Sequence, residues 1–541
     1  MTIMTRLAGR LWRLPPAENA VRVERDIAVT ARDGVALMTD VYHPFGIDRP
    51  PIVLLRSPYG RKNIVGLCAR LFAERGYTAV VQSVRGTFGS GGRFHPFFQE
   101  RDDGLDAVGW IERQPWYGGR LGLWGASYMG QVHWAMAAEL GERVAAIAIV
   151  RSTSDFAAAI WGGDGLRLED FLSWICLVEA QEKSNAIVQA LRRRFFGDAH
   201  ARHYAALPLE TLDEQVSGAA IDCWREWMAH DHPADPFWQP IRDRCTLARV
   251  TAPVSMVAGW SDLFIGHQLH DYAELQACGK TVRLTVDPWT HTSLKSLAGA
   301  MADAFDWFDI HLKGRESGKD ALNHVKLWVV GANEWRNETA WPPAGSVSRA
   351  LQLTGSGGLG EGGIAEAERR FVYDPKDPTP SLAGPTLSDA SGRGDMRPLA
   401  ARADVLSFIG PVLDQDTEIA GRPVLTINVS ADGPEHDLFI CLCDVDENGR
   451  ATNITDGYQR LPGFAADTRR TVTLPLLPAY WRVAAGHRLQ LLIAGGAFPR
   501  YARNLGLGER MSMATRSRKT TIAVHCGGKD PSRLALPLKG A

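Results

Sequence analysis

The sequence predicts an α/β protein in which a helical segment interrupts a parallel sheet and a β-sandwich follows. Three observations carry this. Short continuous apolar runs alternate with helical patterns from Ile52 to Val150, as in strands buried on both faces. The alternation stops near Arg151 and resumes at Val254. Beyond about Asn333 many short β-patterned runs appear, separated by turn residues. A chain of 541 residues has room for about three to four domains. The expected division is core (1–151), helical cap (152–247), second part of the core (248–332) and sandwich (333–541).

Each element has its own signal. Val21 to His43 alternates about Asp33-Gly34 and predicts a hairpin. Ile52 to Leu55, Thr78 to Val84, Leu121 to Trp124 and Val144 to Val150 read as buried strands. Leu67 to Arg75 and Asp102 to Arg113 have helical spacing, and a helix follows Trp124 to about Leu140. The cap is rich in Trp and Leu with no clear strand. Then come strand Val254 to Trp260, helix Ile265 to Cys278, strand Val282 to Val286 and helix Ala302 to Leu312. Gly355 to Gly363 reads as a flexible loop. Sandwich strands are expected at Val424 to Val429, Leu438 to Val445, Arg470 to Leu474, Arg488 to Ile493 and Thr520 to Val524.

Composition excludes several classes. Sixty Lys and Arg face 61 Asp and Glu, a net charge of −1. The densest basic cluster, Arg192 to Arg194, reads as a solvated helix face, so no nucleic-acid partner is expected. No apolar run approaches the ~20 residues of a membrane span, and no membrane partner is expected. The N-terminal stretch is Arg-rich and amphipathic without the apolar core of a secretory signal. Eight scattered Cys without a CxxC pair suit a reducing cytoplasm rather than a disulfide or zinc scaffold. His267 and His270 lack a partner motif, so no metal site is expected. The Gly-rich Arg85 to Gly92 misses dinucleotide-loop spacing because Phe88 stands where a glycine is needed.

The chemistry lies in Leu121 to Gly130, where an apolar strand meets Gly125-Ala126-Ser127 and then a helix. A serine nucleophile on a tight strand-to-helix turn needs small neighbours. The usual glycine two places on is Met129 here, and Gly130 comes one later, so a plain helix N-cap serine competes. Such a serine needs a base and an orienting carboxylate. Asp262 follows the strand ending at Trp260, and His291 follows the strand ending at Val286. Asp287, just before Pro288, is the competing carboxylate.

Together these segments resemble the serine-hydrolase family of bacterial cocaine esterase, α-amino-acid ester hydrolases and X-Pro dipeptidyl-peptidases. Gly125 to Gly130 resembles its G-x-S-Y-x-G elbow, including the late glycine. Arg56 to Gly60 resembles R-x-P-Y-G, and Arg85 to Ser90 its R-G-T-x-G-S loop. Gly259 to Asp262 resembles G-W-x-D, Pro288 to His291 resembles P-W-x-H, and Phe498 to Asn504 resembles F-P-R-x-x-R-N. The resemblance implies an α/β-hydrolase core, an inserted helical cap and a C-terminal jelly-roll of galactose-binding-like type. It implies a triad of Ser127, Asp262 and His291, with the Tyr59 hydroxyl and the Tyr128 backbone N–H as oxyanion donors. Trp161, Trp174 and Phe264 are implied to line the acyl pocket, and no cofactor is needed. The expected partner is a small-molecule ester or amide, and homo-oligomer assembly is left open. Dipeptidyl-peptidase or β-lactam acylase activity would need an acid to grip the substrate amine, with Asp164 and Glu169 as candidates. An acyltransferase, or a carbohydrate-binding protein with an inactive hydrolase domain, are the remaining alternatives.

Overall fold

The structure is a computed structural model that describes residues 2–182, 203–243, 246–318, 322–361, 365–388, 390–463 and 465–540. Arg192 to Arg194 and Cys245 lie outside them.

A ten-stranded mixed sheet forms the core, in the order β1-β2-β4-β3-β5-β6-β7-β8-β9-β10. The hairpin β1 (Val21–Thr30) and β2 (Ala36–Pro44) opens it antiparallel. The strands β3 (Ile52–Ser57), β4 (Thr78–Ser83), β5 (Leu121–Ala126), β6 (Ala146–Val150), β7 (Val254–Ser261), β8 (Val282–Thr290) and β9 (Val325–Val329) run parallel. Strand residues alternate between two apolar layers, because successive side chains point to opposite faces. Ile52 and Leu54 pack with Trp134, Ile265 and Tyr272. Val53 and Leu55 pack with Phe72, Phe305 and Phe308. Helices therefore cover both faces: α1 (Ile3–Leu11), α2 (Asn63–Ala73), α3 (Glu100–Glu112), α4 (Tyr128–Leu140), Ile265–Ala277 and Leu294–His311. The last begins before the expected Ala302.

The core runs on past the expected break at 332. β10 (Glu334–Glu338) pairs antiparallel with β9, in register from Glu334 opposite Val329 to Glu338 opposite Val325. Its exposed, charged residues hide the strand from an apolar pattern.

Described cap residues form short helices, including α5 (Phe156–Ile160) and α6 (Leu168–Ala180), around one aromatic cluster. The C-terminal part is β-rich, with antiparallel ladders in sheets of nine and four strands. β16 (Val424–Ala431), β17 (Glu435–Val445), β21 (Arg488–Ala494) and β22 (Thr520–Cys526) supply Ile427, Ile440, Leu491 and Val524 to the layer between the sheets. The Gly-rich stretch after β11 (Ser346–Leu353) is less free than its composition predicts, because β12 (Leu359–Gly360) turns back to pair with β11. Cys441 and Cys443 share a buried face of β17, their sulfurs 3.6 Å apart.

The three parts interlock. A Cβ on Gly163 of the cap would lie 1.9 Å from the Tyr458 carbonyl oxygen of β18 (Ala451–Pro462). Tyr458 stacks on Tyr501 at 3.8 Å between ring centroids. Buried Arg500 holds Asp456 through bonds of 2.8 and 3.0 Å. The Phe498 to Asn504 motif thus braces the sandwich against the cap. No described helix is long and apolar enough to cross a membrane.

Candidate active site

β5 turns sharply into α4 at Ser127, whose backbone sits at φ 58° and ψ −129°. Such a conformation costs a non-glycine residue about 1–3 kcal/mol and persists only where its surroundings hold it. Here the Ser127 N–H donates to Val150 O at 2.9 Å and its carbonyl accepts from Gly130 N–H at 2.8 Å. Two glycines make room. A Cβ on Gly125 would lie 2.0 Å from Met129 O, and one on Gly130 would lie 2.6 Å from Ser152 Cβ. The late glycine is therefore the one that close packing demands.

Asp262 follows β7 and is fully buried. Its Oδ1 accepts Phe264 N–H at 2.8 Å, and its Oδ2 lies 2.6 Å from His291 Nδ1. Burial pushes this carboxyl up, but the His291 charge and hydrogen bond, with Arg151, hold it below the usual carboxylate range. Asp287, the competing carboxylate, is bound elsewhere. It takes Arg151 Nη2 at 2.5 Å, Ser296 Oγ at 2.7 Å and Trp289 N–H at 2.9 Å. Burial, partly offset by Arg151, raises its pKa.

Tyr59 follows β3. Its hydroxyl meets the Ser127 side chain and accepts Trp174 Nε1–H at 3.0 Å. Burial raises its pKa despite both contacts, which keeps a neutral, donating phenol. The Tyr128 side chain has a different task. Its hydroxyl donates to Glu100 Oε1 at 2.8 Å and accepts Phe97 N–H at 3.0 Å, and its ring stacks on Trp174 at 5.2 Å. The Tyr128 N–H stands at the first position of α4, where a helix leaves its N–H groups without intrahelical acceptors.

Phe264 lies edge-on to His291, 5.6 Å between centroids, and Trp174 reaches Tyr59 from the cap. Contacts thus link Ser127 and Trp174 to Tyr59, and Asp262 and Phe264 to His291. Trp161 packs edge-on against Trp238, 5.8 Å between centroids, within the same aromatic cluster as Trp174 and Phe264. Asp164 and Glu169 sit on the cap–sandwich seam. Asp164 accepts from Gln459 Nε2 at 2.8 Å, and the Glu169 N–H donates to Pro499 O at 3.2 Å. No three metal-ligating side chains converge among the described residues. His270 faces Glu274 on an exposed helix surface.

Two family models match the chain nearly end to end. Residues 33–293 match the X-Pro dipeptidyl-peptidase (S15 family) and residues 317–535 the X-Pro dipeptidyl-peptidase C-terminal non-catalytic domain. The chain is also 29% identical to cocaine esterase of Rhodococcus sp. (strain MB1 Bresler), across 95% of this chain and 98% of that one. It belongs to this family of serine hydrolases. Solved structures agree on the fold. An aminopeptidase from the marine sediment archaeon Thaumarchaeota archaeon superposes with a TM-score of 0.80 at 22% identity, covering 97% and 98% of the two chains. An α-amino acid ester hydrolase gives 0.79 at 20% identity, covering 97% of each.

Little in the sequence of this S15-family hydrolase marks Arg151. It is 2% exposed with φ 45°, and its guanidinium also donates to the Thr290 carbonyl and lies 3.8 Å from Asp262 Oδ2. A lone Arg after a strand carries no motif. Its one signal is a charge where the buried strand run ends.

Proposed function

We propose that this family member hydrolyses carboxylic esters through an acyl-enzyme on Ser127. The observation that carries the reading is the His291 Nδ1–Asp262 Oδ2 bond of 2.6 Å after strand ends, in a chain whose strained Ser127 turn meets the Tyr59 hydroxyl. Ser127 Oγ attacks the carbonyl carbon while His291 Nε2 takes its proton. Asp262 fixes the ring tautomer and stabilises the imidazolium. Tyr59 O–H and Tyr128 N–H donate to the oxyanion, one such donor being worth about 3–4 kcal/mol of barrier. The imidazolium protonates the departing alkoxide. Water, deprotonated by His291, then attacks the acyl carbon, and Ser127 Oγ leaves with the proton.

Ester over peptide substrates is supported by the similarity to cocaine esterase along both chains. It is also supported by the Asp164 carboxylate, which is engaged by Gln459 of the sandwich. Phe264 and Trp174 suit an apolar or aromatic acyl group.

The test compares p-nitrophenyl esters with Ala-Pro-p-nitroanilide, wild type against Ser127→Ala. Ester turnover that vanishes in the variant is expected. Preference for the dipeptide anilide would move the reading to an aminopeptidase. Full ester turnover by the variant would overturn the Ser127 mechanism.

A further inference from the structure

Helix α1 turns the wrong face outward. Its small face packs on the core: Thr5 and Ala8 are buried, and Thr5 Oγ1 donates to the buried Glu74 Oε1 at 2.8 Å. Arg75 Nε donates to Pro15 O at 2.7 Å, and a Cβ on Gly9 would lie 2.9 Å from Arg75 Nη2. Thr2 and Thr5 close a reciprocal capping box at its start. The helix is thus held without help from its large apolar residues. Those point to solvent: Ile3 is 87% exposed, Met4 66%, Leu7 58% and Leu11 70%.

At 100° per residue these four fill one arc about 100° wide, and Arg6 and Arg10 fall in the adjoining arc. Arg13 follows the helix, also exposed. No acidic residue precedes Glu18. An apolar arc beside a basic one, both facing out, is the pattern of a helix lying in a lipid interface. A second copy of the chain fits the face poorly. Antiparallel twofold pairing over the apolar arc would line up Arg6 and Arg10 of both copies on one side. Four side chains also fall well short of the roughly 800 Å² per partner of a stable interface.

We propose that α1 seats the enzyme on an anionic lipid surface, with Ile3, Met4, Leu7 and Leu11 among the acyl chains and the arginines at the headgroups. This departs from the expectation of no membrane partner. It concerns attachment, not spanning, and is independent of the proposed reaction.

The test is co-sedimentation of the purified full chain with phosphatidylcholine vesicles, with and without about 30 mol% phosphatidylglycerol. Wild type pellets with the anionic vesicles at least about tenfold more than with neutral ones, and about 0.5 M salt releases most of it. Leu7→Gln with Leu11→Gln, and separately Arg6→Gln with Arg10→Gln, each lose the binding while keeping wild-type ester turnover in solution. Three results would overturn the proposal: wild type left in the supernatant, equal binding to neutral vesicles, or variants that bind as well as wild type. Light scattering that shows a dimer dissociated by the Leu7→Gln and Leu11→Gln pair would assign the face to a second copy instead.

Discussion

Arg151 Nη2 lies 2.5 Å from Asp287 Oδ1, both side chains shut away from water between the ends of β6 and β8. The same guanidinium donates to the Thr290 carbonyl, one residue before His291. Gly259 makes the approach possible, since a Cβ there would lie 2.8 Å from Arg151 Nη2. The pair therefore ties the strand that carries the histidine to the strand beside the serine.

Breaking one side of this pair is costlier than removing both. Arg151→Met leaves Asp287 buried and unpaired, with an expected loss of about 3–5 kcal/mol. Arg151→Met with Asp287→Leu recovers most of that. Urea unfolding of the four species measures the coupling. Additive losses in the double variant would dismiss the clamp. In the single variant kcat falls more than KM changes, because the Thr290–His291 backbone loses its tether.

In the proposed mechanism, Tyr59→Phe removes a donor to the developing oxyanion. Its kcat for ester hydrolysis falls about 100- to 1000-fold with KM nearly unchanged. Trp174→Phe keeps an aromatic ring but removes the indole's pyrrole part, with the N–H that Tyr59 accepts. A neutral hydrogen bond is worth about 1 kcal/mol, so a loss of about fivefold is expected. Steady-state kinetics on one ester decides both. Wild-type kcat in Tyr59→Phe would remove the tyrosine from the mechanism.

These residues were not equally legible in the sequence. Ser127, Asp262 and His291 stand at strand ends inside short motifs, so order and local pattern were enough to nominate them. Tyr59 came through its segment, but its bond to Trp174 spans 115 positions, and no periodicity reports such a pair. Between Asp262 and Asp287 the G-W-x-D segment already favoured Asp262, and packing adds that its carboxylate bonds the imidazole. Trp161 and Trp174 look alike in sequence: both are cap tryptophans, and helix direction alone turns one to Tyr59 and the other to Trp238. β10 was missed because an exposed edge strand has no apolar pattern to read.

Asp271 gives a pH prediction. It lies 2% exposed beneath Ser154, whose N–H and Oγ–H donate to it at 2.8 and 2.7 Å. Burial pushes its carboxyl up to about 7. The unfolded carboxyl titrates near 3.9, so between about pH 4 and 7 the folded chain holds a proton that the unfolded chain has lost. This group's contribution to stability therefore falls as pH rises through that window, by about 4 kcal/mol in all, and levels off above it. Asp271→Asn cannot titrate. Urea unfolding from pH 4 to 8 should show wild type losing stability relative to the variant by about that amount. Parallel profiles would mean the group keeps an ordinary pKa.

Core and sandwich share backbone bonds as well as side chains. Val330 N–H donates to Tyr480 O at 3.0 Å, and Arg482 N–H donates back to Val330 O at 2.8 Å. Arg336 of β10 joins Glu418 of the sandwich at 2.7 Å. Calorimetry should show one cooperative transition. Two resolved peaks would mean the parts unfold separately and this seam contributes little.

The contact between Gly163 and the Tyr458 carbonyl bears on any attempt to shorten this catalyst. The cap leans on the sandwich there with no atom to spare, and the cap in turn carries Trp174 to Tyr59. Trimming the chain to its α/β part would keep Ser127, Asp262 and His291 but take from Tyr59 the support of Trp174. A compact derivative must therefore keep the sandwich wall.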